Sequence, residues 1–141
     1  MFWLLNNLLA NFVFLFHCII VIFVLSVPFL NNVTPAILIL HIVFSISLFA
    51  HWYINSNQCS LTILESYLRG KDTNDTFTYK FIAPMYDISK SKWNNIVWNI
   101  TFILMCISLY KLYKTDKFKV AWKCYTNEKN WIECIKPLFQ N

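Results

Sequence analysis

The sequence predicts an all-α integral membrane bundle of three transmembrane helices plus a short amphipathic surface helix at about 60–70. Three observations predict it. Glu65 is the first Asp, Glu, Lys or Arg in the chain, so nearly half of the protein carries no full charge. Across all 141 residues 57% are hydrophobic and only 13% charged, a balance that leaves a soluble surface too few charges. The 18% aromatic content, with six Trp against one Gly, suits side chains that anchor at lipid interfaces.

The elements follow in order. The apolar run at about 3–30 exceeds the roughly 20 residues that cross a hydrocarbon core. It has no basic start and no small-x-small cleavage site, so it reads as a span and not as a signal peptide. Asn6, Asn7 and Asn11 place polar groups near its outer end or against a partner helix. Pro28 and the turn Asn31-Asn32-Val33-Thr34 end this span, and Pro35 suits the first turn of the next, where its missing N–H costs nothing. The second span, 35–54, closes on His51, Trp52 and Tyr53. So short a connection makes the two spans an antiparallel hairpin. The third span, at about 93–113, opens with Trp93 and Trp98 and closes with Tyr110, Lys111, Tyr113 and Lys114. The chain thus divides into a membrane domain, 1–114, with a polar loop at 55–92, and a basic-aromatic tail, 115–141. In the tail Trp131, Ile135, Leu138 and Phe139 share a helical face. The alternation from Lys117 to Cys124 fits a strand as well as a helix, and periodicity does not decide.

Charge sets the expected partners and orientation. Of the twelve Lys and Arg, five lie between Arg69 and Lys92 and seven from Lys111 onward. This pattern favours contact with the lipid bilayer and argues against nucleic acid, which needs an exposed basic face. A homo-oligomer or a membrane protein partner is the expected protein contact. Lysines 111, 114, 117, 119 and 123, against Asp116 alone, predict a cytoplasmic C-terminus, with the N-terminus and the 55–92 loop outside. Asn74-Asp75-Thr76 is then available as a glycosylation acceptor. The five cysteines contain no C-x-x-C pair. Cys18 and Cys106 read as small packing residues, and Cys124 and Cys134 as thiols kept reduced in a cytosolic tail.

The segment Cys59 to Gly70 is the most motif-like part of the chain. Thr62 and Glu65 have the S/T-x-x-E spacing of a capping box. Glu65 and Arg69 stand four apart in the favourable order. Leu61, Leu64 and Leu68 share a face, and Gly70 is suited to end the helix. At these residues the chain resembles a family of small bacterial and viral membrane proteins of unknown function whose motif reads C-P-L-T-x-L-E-x-x-L-R. The likeness covers roughly residues 12–113 and is most specific at Cys59, Leu61, Thr62, Glu65, Leu68 and Arg69. Ser60 stands where that family has Pro, and Asn55 and Asn57 where it has Gly and an acidic residue. The resemblance implies an architecture and singles out positions, and it implies no reaction.

His17, His41, His51, Cys59, Thr62, Glu65 and Arg69 form the candidate functional cluster. Bis-His haem ligation is the first chemistry to test against it. At about 1.5 Å per residue from the turn, His17 lies about 22 Å away, His41 about 13 Å and His51 about 28 Å, so His17 matches neither partner well, although tilt brings it towards His51. Hydrogen bonding between helices, with Ser45 and Ser47 four residues from His41 and His51, accounts for the rings without a cofactor. Cys59 with His51 is a nucleophile pattern, but nothing supplies an oxyanion hole. The stretch 79–87 reads as an interfacial lid over the helices. The expected function is structural or accessory. A small transporter or proton-conducting bundle using the histidines and Glu65 is the alternative, followed by a membrane enzyme or redox carrier.

Overall fold

The computed structural model describes residues 2–70, 89–127 and 131–139. The Asn74 acceptor triplet and the expected lid at 79–87 lie outside the described residues. What is described is all-α: α1 (Phe2–Ser26) with a 3-10 turn (Val27–Phe29), α2 (Pro35–Ile54), α3 (Ser60–Arg69), α4 (Lys90–Lys114), α5 (Asp116–Asn127) and α6 (Trp131–Phe139). No strand occurs among the described residues. Leu4–Phe29, Pro35–Ile54 and Lys90–Lys114 are long and apolar enough to cross a membrane. Large apolar side chains are correspondingly exposed along them, including Phe12, Ile22, Leu40 and Ile103.

The chain forms two compact units, and each long helix contributes to both. One comprises 1–22 and 47–100, the other 23–46 and 101–141. In the second unit Val27, Leu38, Ile42 and Leu112 form an apolar core, with Phe23, Val33, Ile39, Met105 and Phe118 packed against it. Ser45, Thr101 and Ser108 are buried there too. Small residues of this kind let transmembrane helices approach closely. In the first unit Ala10 is fully buried on α1, and the rings of Phe49, Trp52 and Trp98 pack edge-on or tilted with centroids 5.1–6.1 Å apart.

Several expectations are corrected. The 117–124 segment, for which periodicity left strand and helix open, is helix. Its partner α6 buries Cys134 and Leu138, while Ile135, expected on the apolar face, is exposed. Helices α5 and α6 pack together and bring Cys124 and Cys134 to a Cα separation of 5.3 Å, where the structure joins them in a disulfide. The expected reduced pair is thereby replaced by a bridge, because adjacent helices in a tight hairpin meet the distance requirement. Cys106 is exposed and so is no packing residue; Cys18 is half-buried.

Candidate functional site

Helix α3 and the turn before it build the site in the first unit. The turn is costly. Ser56 and Asn57 both hold positive φ (50° and 65°), a region that side chains other than Gly rarely adopt. Two contacts hold it in place. Asn57 N–H donates to the Trp52 carbonyl at 2.8 Å, and the Trp98 indole N–H donates to Asn57 Oδ1 at 2.8 Å. The aromatic group on α2 and α4 thereby fixes the point at which the chain leaves α2.

The start of α3 corrects the capping-box expectation. The helix begins at Ser60 after an extended Cys59, so Thr62 already lies inside its first turn and cannot act as the cap. No side-chain cap bond comes from Cys59 either. His51 supplies the acceptor: its Nε2 receives the Ser60 N–H at 2.9 Å. A backbone N–H only donates, so Nε2 acts as the acceptor. The Asn55 amide nitrogen lies 3.2 Å from Nδ1 and 3.3 Å from Nε2. His51 therefore caps a helix through an acceptor nitrogen. Gly70 ends the helix as expected, in the left-handed conformation with its N–H on the Ser66 and Tyr67 carbonyls.

The orientation of α3 is the main surprise. Its buried face is Thr62, Glu65 and Ser66, whereas Ile63, Leu64 and Tyr67 are exposed. Of the three leucines expected to share a face, Leu64 is exposed, and Leu61 and Leu68 are half-buried. Arg69 donates through Nε to Glu65 Oε1 at 3.0 Å and through a second nitrogen to Asn11 Oδ1 at 2.9 Å, which ties α3 to α1. Glu65 Oε2, Thr62 Oγ1 and Ser66 Oγ are buried without a hydrogen-bond partner. Three unpaired oxygens at i, i+3 and i+4 are unusual, since buried polar atoms nearly always find partners.

The other candidates are placed elsewhere. His17 is buried on α1 in the first unit. His41 belongs to the second unit and has its own role. Its Nε2 lies 3.0 Å from the Val24 carbonyl. Pro28 follows Val24 by four residues and has no N–H to offer that carbonyl, so the imidazole N–H takes its place. Phe23 lies beside the ring, at a centroid separation of 5.8 Å. The Ser45 hydroxyl, expected on the ring, donates instead to the His41 carbonyl at 2.8 Å. Cys59 is a half-buried free thiol. No group of three His, Cys, Asp or Glu that could hold a metal occurs among the described residues. Sequence reasoning missed Asn11, Asn57, Ser66 and Trp98 as members of the site. Only the Thr62–Ser66 spacing flanking Glu65 carried a readable signal, a polar stripe at helical period.

Three helices long and apolar enough to span a membrane, with a short helix latched to them by polar side chains, define a small helical protein of membrane type. The chain belongs to the family described as Protein of Unknown function (DUF2784), whose model matches residues 7–114. No curated protein and no solved structure matches it.

Proposed function

We propose that this protein is a multi-pass integral membrane component with a structural or accessory role, packing with a second copy or with a membrane partner. The observation that carries the reading is Arg69, whose guanidinium joins Glu65 on α3 to Asn11 on α1. His51 and Asn57 are likewise engaged in holding backbone or indole groups in place. The residues with most chemical potential thus act as ties between elements. Mild-detergent purification followed by crosslinking tests this. A stable complex whose yield falls with Arg69→Ala supports it, and a monomer indifferent to that change sinks it.

The second reading is a proton or small-cation pathway, favoured by the unpaired Glu65 Oε2 between two buried hydroxyls. Ion or proton flux in liposomes that vanishes with Glu65→Gln would replace the structural reading. For orientation, the lysines after α4 support an outside N-terminus and a cytoplasmic tail. The Cys124–Cys134 bridge opposes this, because disulfides persist in oxidising compartments. Labelling with an impermeant maleimide decides: the proposed orientation requires Cys59 to react from outside and the tail pair to stay unlabelled from outside even after an impermeant reductant. A tail pair that labels only after an external reductant overturns it.

A further inference from the structure

The second unit contains a cavity of about 380 Å³ between the α1–α2 turn and the end of α4, lined by Asn31, Asn32, Leu38, Lys111 and Thr115 among others. We propose that this cavity is a binding site for the phosphate-bearing headgroup of an anionic phospholipid. Four features converge on that occupant. The first is charge: Lys111 forms one wall, and its ammonium reaches the Leu30 carbonyl at 3.0 Å with a single N–H, leaving two to donate. The surroundings are also cationic, since lysines 111, 114, 117, 119 and 123 face one acid, Asp116, which is paired with Lys119 at 3.1 Å.

The second feature is position. The cavity sits where α1 and its 3-10 turn end, where α2 begins, and where α4 passes from its apolar stretch into Tyr110, Lys111, Tyr113 and Lys114. That is the depth at which headgroups lie, and basic pockets between membrane helices are their usual receptors. The third is the lining. The Asn31 and Asn32 carboxamides offer donors to phosphate and glycerol oxygens, while Leu38 offers an apolar wall for the start of an acyl chain; the Thr115 hydroxyl donates to the Lys111 carbonyl at 3.0 Å. The fourth is the field of α2: the positive end of this 20-residue helix, at Pro35, follows the lining turn directly. A cavity of this volume takes a phosphodiester headgroup and is larger than a bare inorganic ion requires.

The inference goes beyond the structural role and rests only on reading α1, α2 and α4 as membrane spans. Retention of the protein in carbonate-washed membranes tests that reading separately. The site itself is tested on delipidated full-length protein in detergent, titrated with short-chain phosphatidylglycerol or phosphatidylcholine, with thermal unfolding followed by tryptophan fluorescence. Phosphatidylglycerol is expected to raise the transition temperature and phosphatidylcholine to leave it unchanged. Lys111→Gln should weaken the phosphatidylglycerol response about fivefold, in keeping with one cation near a charged headgroup. Lys123→Gln, the same charge change outside the lining, should not. If Lys111→Gln fails to fold, Asn31→Glu on an exposed side chain serves in its place and should also weaken the response. Equal responses to the two lipids, or equal weakening by Lys111→Gln and Lys123→Gln, would overturn the site. An equal shift from inorganic phosphate alone would overturn the lipid assignment in favour of a soluble anion.

Discussion

His51 in the first compact unit and His41 in the second do opposite things with the same side chain. His51 offers a bare Nε2 to an orphan N–H at the start of α3, and His41 offers an Nε2–H to the Val24 carbonyl, which Pro28 cannot serve. One ring is half-buried and the other completely buried. The difference teaches that intramembrane histidine need not mean metal or proton chemistry. An imidazole nitrogen donates or accepts according to the tautomer, so the ring repairs whichever backbone group the fold leaves over.

Substitutions break this comparison in graded ways. The largest expected effect is His41→Ala, which both orphans Val24 and opens a void, for about 2–4 kcal/mol of lost stability in a detergent unfolding titration. His51→Ala should cost less, about 1 kcal/mol, because water or headgroups reach the start of α3. A reversed order of these two would contradict the roles assigned to the rings. Arg69→Ala falls between the two histidine changes, at an expected cost of about 1–2 kcal/mol. The loss is that of a partner to a buried carboxylate, moderated because Arg69 itself is 28% exposed. Glu65→Gln, which keeps an acceptor, should cost less than Arg69→Ala in the same titration. The smallest effects lie in the backbone. Gly70→Ala should cost about 1 kcal/mol from its φ of +62° alone, since nothing lies within 4 Å of an added Cβ. Ser56→Gly should gain about 0.5–1 kcal/mol by relieving its positive φ. Asn57→Gly should show no such gain, because it loses the Trp98 bond. Equal gains at 56 and 57 would remove Trp98 from its proposed role.

The spans were legible because their length and lack of charge leave a chain no other way to satisfy its backbone in lipid. The end of α3 was legible because Gly70 is the lone glycine and stands after a helical pattern. Its beginning was not. Thr62 and Glu65 match a capping box, but a histidine nine residues before Ser60 supplies the acceptor, and no local pattern reveals a partner at that distance. Which face of α3 turns inward was also hidden. Periodicity separates Leu64 from Glu65 but says nothing about which side packs against the neighbouring helices, and Thr62, Glu65 and Ser66 are the ones buried. The tail was ambiguous because Lys117 to Cys124 satisfies two periods at once. Packing of α5 on α6 through buried Ala121, Cys134 and Leu138 selects the helix. Arg69 was placed correctly with Glu65, while Asn11, its second partner, is too distant in sequence to be paired with it by pattern.

The pairing of Pro28 with His41 also constrains how this sequence can drift. A lineage that first replaces the proline regains an N–H at position 28 and then tolerates loss of the histidine. The reverse order must pass through an intermediate whose Val24 carbonyl has no donor. Related chains should therefore include some with neither residue, and some with histidine but no proline. Those with proline but no histidine should be rare, unless another donor has taken the ring's place.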